Sequence, residues 1–141
     1  MLKLIILLKP YAPYILVAWV IIIIIVSSLP GIPTLKLHTS KSDIRLDYLI
    51  HFCEYGSLAF LAYLTFTKEQ FKTGSKSFFW ITAVVVAFSV ADEFHQKFIP
   101  GRAFNVMDII SNISGILAAM VFCVVTFRKI SGAGGLRSDE G

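Results

Sequence analysis

The residues of this chain that could do chemistry fall into three groups. Asp47, His51 and Glu54 have the spacing i, i+4, i+7, which places them on one helical face within two turns. Carboxylates and an imidazole can divide acid and base roles, ligate a divalent metal, or accept hydrogen bonds from hydroxyls and amines. These groups therefore indicate a binding site or acid–base catalysis. The other two groups are Asp92, Glu93, His95 and Gln96, then Asp108 and Asn112.

Apolar runs separate these groups and must position them. The chain is 56% hydrophobic and 16% charged, which is far from a soluble mixture. About 20 apolar helical residues cross a hydrocarbon core that is roughly 30 Å thick. We predict an all-α membrane protein, a four-helix transmembrane bundle that fills a membrane domain of residues 1–129 and precedes a flexible cytoplasmic tail of residues 130–141. The four spans are expected near residues 11–29, 47–66, 78–96 and 107–127.

Lysine and arginine residues predict the orientation of the spans, because they accumulate in cytoplasmic loops. The N-terminus, the second connection and the tail together hold eight of them, against five in the first and third connections. We therefore expect both termini in the cytoplasm and all three polar groups in the outer leaflet. The first span is too long for the apolar core of a secretory signal, and no A-x-A site follows it, so we expect it to be retained.

The three polar groups should meet at one depth, because short loops bring the end of one span beside the start of the next. An acidic side chain inside a span costs about 2.5–3.5 kcal/mol unless it faces another polar group or water. We predict a polar pocket that opens outward; the alternative is a set of interfacial residues solvated by headgroups and water. Arg102 would either fix the topology or pair with Asp108, or it would hold an anionic group.

Other classes of function fit the sequence poorly. A net charge of +4 without a basic stripe argues against nucleic-acid binding, and the inner halves of the spans have too few ionisable groups for an ion pathway. Cys53 and Cys123 should differ in depth by about 15 Å, too far for a disulfide. No HExxH or CxxC motif occurs, so no cofactor is predicted, and His51, Glu54 and Asp92 are only weak metal candidates.

The polar motifs resemble those of one known family. SSLPG begins at residue 27, DxxxHFxEY covers Asp47 to Tyr55, and DExxQxFIPGRxFNxxDxxxNxxG covers Asp92 to Gly115. Over residues 27–127 they are similar to the VanZ-like family of bacterial membrane proteins. His95 falls at a variable position and is demoted as a functional residue. The family's polar signature falls on Ser28, Pro30, Asp47, His51, Glu54, Tyr55, Asp92, Glu93, Gln96, Pro100, Arg102, Asp108, Asn112 and Gly115.

The resemblance implies a multi-pass protein of the bacterial cytoplasmic membrane, in a family named for a member implicated in low-level resistance to teicoplanin, a lipoglycopeptide. One hypothesis is a binder of a membrane-lipid headgroup, a lipid-linked cell-envelope precursor or a lipoglycopeptide. Its ligand-binding residues would be Asp47, His51, Glu54, Tyr55, Asp92, Glu93, Gln96, Arg102, Asp108 and Asn112.

The second hypothesis is a small membrane-embedded hydrolase or transferase that acts on an envelope lipid. Its candidate catalytic residues are His51, Glu54, Asp92 and Glu93, because environments that differ can give neighbouring carboxylates different roles. The oligomeric state stays open, because small residues such as Gly115 permit close helix contact either inside one bundle or between chains.

Overall fold

Helices account for nearly all of the chain that the structure describes. A computed structural model describes residues 2–31, 36–38, 43–68, 71 and 74–135. The helices are α1 (Leu2–Leu8), α2 (Ala12–Ser28), α3 (Asp47–Phe66), α4 (Ser75–Gln96) and α5 (Val106–Gly135), with a 3-10 turn at Lys9–Tyr11 between the first two.

The predicted four spans are confirmed by the length and composition of these helices. Within the described residues, the segments long and apolar enough to cross a membrane are Leu2–Ser28, Asp47–Phe66, Ser75–Gln96 and Val106–Gly132. The first begins at Leu2 rather than at residue 11. Its start differs because Leu2–Leu8 is also apolar and because Pro10 lies in the first turn of the 3-10 segment, where a missing N–H is tolerated.

The last helix continues beyond the predicted span. It runs to Gly135, whereas the sequence predicted a span ending near residue 127 and a flexible tail from residue 130. Arg128 and Lys129 interrupt the apolar run, but both residue types favour helix. The helix therefore continues beyond that run. Residues 130–135 are therefore helical, and residues 136–141 of the predicted tail lie outside the described residues.

A two-stranded ribbon lies in the connection between α2 and α3. The strands β1 (Lys36–His38) and β2 (Asp43–Arg45) pair antiparallel, with Leu37 opposite Ile44. The all-α prediction did not include this ribbon, because three residues are too few for an alternating pattern to show. The ribbon leaves the four spans themselves helical.

The outside of the bundle is apolar, as a lipid-facing surface should be. Large apolar side chains are exposed on each of the four spans, among them Val17, Leu49, Phe79 and Val121. In water, so much contiguous apolar surface would be unfavourable. The described residues therefore support a multi-pass membrane protein on surface chemistry as well as on helix length.

A close helix crossing lies between α3 and α5. Gly56 and Gly115 face each other there, and a Cβ on Gly115 would collide with the carbonyl oxygen of Phe52. Without a side chain, the two backbones approach closely enough for dispersion contacts along both helices, which is how small residues drive packing in lipid. Gly115 thus serves contact inside this bundle, one of the two roles left open by the sequence.

At the end of the bundle where α3 finishes, Lys9 fastens the first span to the second. Its Nζ donates to the carbonyl oxygens of Thr67 at 2.5 Å and Leu64 at 3.5 Å, and it lies 5.2 Å from the centre of the Phe71 ring. A cation at the last carbonyls of a helix offsets their partial negative charge. The two cysteines are free, as predicted, with Cys123 buried.

Candidate functional site

The predicted polar residues lie at one end of the bundle, which we call the polar end. There α2 and α4 finish and α3 and α5 begin, at Ser28, Gln96, Asp47 and Val106 respectively. This arrangement follows from the antiparallel order of the spans. The polar side chains buried at this end are Ser27, Asp92, Glu93, Gln96, Asp108 and Asn112.

One set of these residues forms a chain of hydrogen bonds, which we call the paired network. The Asp92 carboxylate accepts at Oδ2 from the Tyr55 hydroxyl at 2.8 Å and from Gln96 Nε2 at 3.1 Å. Gln96 Oε1 in turn accepts from Arg102 Nη1 at 3.2 Å. The network links α3, the end of α4 and the loop that follows it.

The Arg102 guanidinium also holds the end of α2. Its Nη2 donates to the carbonyl oxygen of Val26 at 2.8 Å, and its Nε donates to that of Leu29 at 3.4 Å. The last carbonyls of a helix lack intrahelical partners, so a cation is stabilised there. The structure gives Arg102 this fastening role, which differs from both a partner of Asp108 and a holder of anions, the roles considered from the sequence.

Two glycines let the loops at the polar end meet. Gly31 and Gly101 have φ of +67° and +79°, and the Gly31 N–H donates to the carbonyl oxygen of Pro100 at 3.1 Å. A Cβ on Gly101 would lie 3.1 Å from the Gly31 backbone. Left-handed backbone and close approach both favour glycine at these positions, and the contact helps to aim Arg102 at α2.

A second set of polar residues lies between α3, α4 and α5, and we call it the acidic cluster. It consists of His51, Glu93 and Asp108, each of which can place one ligand atom within 4.8 Å of the other two. His51 Nε2 is 3.7 Å from Asp108 Oδ2, longer than a hydrogen bond. Asn105, which the sequence analysis did not assign to the site, donates its backbone N–H to Glu93 Oε1 at 2.8 Å.

Asn105 also caps α5. Its side-chain Oδ1 accepts the N–H of Met107 at 3.0 Å, the bond expected of an N-cap residue just before Val106. An Asn followed by an apolar helix with Asp in its first turn is a readable start signal. That signal could have identified Asn105 as the residue that fixes the start of α5 beside Glu93.

Several buried polar atoms of this region have no hydrogen-bond partner among the described residues, and we call them the open atoms. At the polar end they are His51 Nδ1, Glu93 Oε2, Asp108 Oδ1 and Asn112 Oδ1. An unsatisfied buried polar atom costs about 1–3 kcal/mol. The open atoms can therefore take hydrogen or positive charge from a group that enters the site.

The remaining predicted residues lie around this centre. Asp47 and Glu54 are half-buried on α3, and His95 is exposed. The backbone oxygen of Glu54 accepts from Trp19 Nε1 at 3.1 Å, which ties α2 to α3. Of the weak metal candidates, His51 belongs to the acidic cluster, whereas Asp92 belongs to the paired network.

A large groove lies at the opposite end of the bundle, between α4 and α5. Its volume is about 1300 Å³, and its walls include Phe78, Met120 and Phe127, with Lys68 and Arg128 also lining it. The acidic cluster is more enclosed, since the exposed fractions of Glu93 and Asn112 are 0% and 1%. Part of its surface is accessible beside His51 and Asp108, whose side chains are 13% and 10% exposed.

Comparison with known proteins gives one match. A family model described as VanZ/LLP1 matches residues 13–128, most of the chain, and the match includes every residue of the paired network and the acidic cluster. No curated protein and no solved structure is significantly similar to the chain.

Proposed function

The chain belongs to the VanZ/LLP1 family, and we infer that it binds the polar head of a membrane-anchored ligand at its polar end. The ligand is a membrane lipid, a lipid-linked precursor of the cell envelope, or a lipoglycopeptide of the teicoplanin type. Each of these combines an apolar tail with a polar head at membrane depth. Binding would contribute to envelope homeostasis or to antibiotic resistance.

The open atoms support this proposal most directly. Three of them are oxygens, on Glu93, Asp108 and Asn112, and carboxylate and amide oxygens only accept hydrogen bonds. A suitable head therefore carries hydroxyl or amine hydrogens, as sugars and aminoacyl groups do. Arg102 is a less suitable group for holding an anion, because its guanidinium already donates to Gln96 and to the end of α2.

The ligand would enter at the edge between the starts of α3 and α5. His51 and Asp108 border that edge and keep part of their side-chain surface exposed, whereas the α4 side is closed by the paired network. An apolar tail could then lie against the exposed residues Leu49 and Ile110 on the same two helices. The polar head of one amphiphile would then contact the polar end, and its apolar tail would contact the apolar surface beside it.

We place the polar end in the outer leaflet of the bacterial cytoplasmic membrane, with both termini in the cytoplasm. Cysteine labelling tests this orientation, in a background in which both native cysteines are replaced by alanine. Ala103→Cys and Ser77→Cys lie at opposite ends, and both positions are exposed. An impermeant maleimide added to intact cells should label Ala103→Cys alone; labelling of Ser77→Cys alone would invert the orientation.

The binding test uses purified full-length protein in a neutral detergent, titrated with teicoplanin and, separately, with micelles that contain phosphatidylethanolamine or phosphatidylglycerol. Asp108→Asn and Glu93→Gln should each weaken binding of the preferred ligand by about tenfold to a hundredfold, the effect of one hydrogen bond to a charged group. His95→Gln is the matched control at the same end. Equal affinity in all three variants would refute the site.

The second candidate function is a hydrolase or transferase that acts on an envelope lipid. It is favoured by one observation, the His51 imidazole beside the Asp108 carboxylate with Glu93 within reach, since a carboxylate can orient an imidazole base. His51→Gln separates the two functions. If a lipid substrate is turned over and this variant binds it normally without turnover, the protein is an enzyme; if no turnover is seen in the wild type, binding alone stands.

A further inference from the structure

We propose that the acidic cluster binds one divalent transition-metal ion, with His51, Glu93 and Asp108 as ligands and Asn112 as an additional oxygen donor. The inference does not rest on the proposed headgroup binding, because the ion would bind whether or not a lipid is present. It rests on the distances within the cluster, on the open atoms and on the balance of charge at membrane depth.

The distances suit a bridging ion better than direct contact. Nitrogen and oxygen ligands lie about 2.0–2.2 Å from zinc, so two ligands of one ion are at most roughly 4.4 Å apart. His51 Nε2 and Asp108 Oδ2 are 3.7 Å apart, which is too long for a hydrogen bond and within that range. The three ligand atoms lie within 4.8 Å of one another, so a small contraction would complete the coordination.

The open atoms of Glu93 and Asn112 provide a second observation. Glu93 is fully buried, its Oε1 is held by the backbone N–H of Asn105 at 2.8 Å, and its Oε2 is one of the open atoms. Fixing one carboxylate oxygen while the other stays available is how supporting hydrogen bonds orient a metal ligand. Asn112 lies one turn after Asp108 on the same face of α5, and its buried Oδ1 is open as well.

The charge of the cluster also calls for a cation. A metal ion binds deprotonated carboxylates and a neutral imidazole, so a divalent ion with these three ligands would form a neutral set, which matters where unpaired charge is costly. Arg102, in the loop after α4, directs its N–H groups to Gln96, Val26 and Leu29 instead. A metal ion would bind the open oxygens of Glu93 and Asn112 and neutralise the carboxylates together.

The ligand set indicates which ions fit. One imidazole with carboxylate and amide oxygens suits zinc, manganese or iron, whereas copper(I) prefers sulfur and magnesium prefers oxygen alone. Three side chains and a weaker fourth donor leave coordination positions for a further ligand. A hydroxyl or phosphate of a headgroup could occupy such a position, so the ion would add to the polar end's affinity for an amphiphile.

The experiment measures metal binding without any added lipid. Full-length protein in a neutral detergent is stripped with a chelator and titrated with Zn²⁺ alone by calorimetry, and bound zinc is counted by elemental analysis after desalting. We expect one ion per chain. Glu93→Gln and Asp108→Asn should each weaken Zn²⁺ binding by at least about tenfold, while His95→Gln and Lys97→Gln, at exposed positions of the same end, should leave it unchanged.

A second measurement identifies the ligands. Co²⁺ in place of Zn²⁺ should give visible absorption bands that shift in His51→Gln, and Zn²⁺ should raise the melting temperature of the wild type but not that of Glu93→Gln. The amide introduced by Glu93→Gln keeps an oxygen for the Asn105 N–H, so this variant should fold. Less than one ion per chain, or the same affinity in the cluster variants as in the controls, would overturn the metal site and leave the headgroup proposal to its own test.

Discussion

Replacement of Tyr55 by Phe should destabilise the protein more than replacement of Tyr63 by Phe. Both tyrosines are fully buried on α3, and each hydroxyl has a close hydrogen-bond partner on α4. Tyr55 donates to the Asp92 carboxylate at 2.8 Å, whereas Tyr63 shares its hydrogen bond with the neutral Thr82 hydroxyl at 2.6 Å. The two variants remove the same atom and differ in the charge of its partner.

The expected magnitudes follow from that difference. A buried hydrogen bond to a charged group contributes about 1.5–3 kcal/mol, and a neutral one about 0.5–1.5 kcal/mol. After Tyr55→Phe, the Asp92 carboxylate still accepts from Gln96 Nε2 at 3.1 Å. After Tyr63→Phe, the Thr82 hydroxyl keeps a hydrogen bond, since it also donates to the Phe78 carbonyl at 2.7 Å. We therefore expect Tyr55→Phe to cost about 1 kcal/mol more than Tyr63→Phe.

Reversible unfolding of the purified protein in mixed micelles measures the free energy of unfolding of each variant. The same substitution made in an Asp92→Asn background isolates the pair, and Tyr55→Phe should cost less there than in the wild type. An equal or smaller loss for Tyr55→Phe than for Tyr63→Phe would refute the view that the Asp92 carboxylate depends on this hydroxyl.

The remaining predictions concern helix contacts. Gly115→Ala should destabilise the protein by about 4 kcal/mol or more, because its Cβ would collide with a backbone oxygen. Gly56→Ala should cost far less, because its Cβ would lie 3.3 Å from the nearest backbone oxygen. Similar unfolding curves for the two variants would contradict this helix crossing. Lys9→Met should lower stability by about 1 kcal/mol through loss of a helix C-terminal cation, and the loss should shrink at high salt, as a salt-series melt would show. Asn105→Ala should cost about 1 kcal/mol and Asn105→Ser much less, and circular dichroism during melting checks the order.

The number of the spans was predictable because apolar length is a local property of the sequence. The predicted bounds of the second span are those of α3. The contacts between the polar residues were harder to predict from the sequence, because packing sets the rotation of each helix about its axis. Asp92 and Glu93 are neighbours in sequence, yet successive helical residues point about 100° apart, and the two acids enter different sets of contacts.

The same limit explains why the partners of Arg102 were not predicted from the sequence. Its position after a Pro–Gly turn indicated that it could be aimed back at the bundle, but the carbonyls at the end of α2 became its partners only through the meeting of two loops at Gly31 and Gly101. Backbone acceptors at helix ends carry no sequence signature of their own. A long-range contact of this kind follows from the packed structure rather than from any local pattern.

We expect the two sets of polar residues at the polar end to have different roles. In the paired network, Asp92 receives two hydrogen bonds and Arg102 gives three, so its members hold the last turn of α4 against α2 and α3. Glu93 lies on that same turn, and its place in the acidic cluster depends on how the turn is held. Loosening the paired network should therefore weaken ligand or metal binding indirectly, whereas changes in the acidic cluster should weaken it while the fold persists.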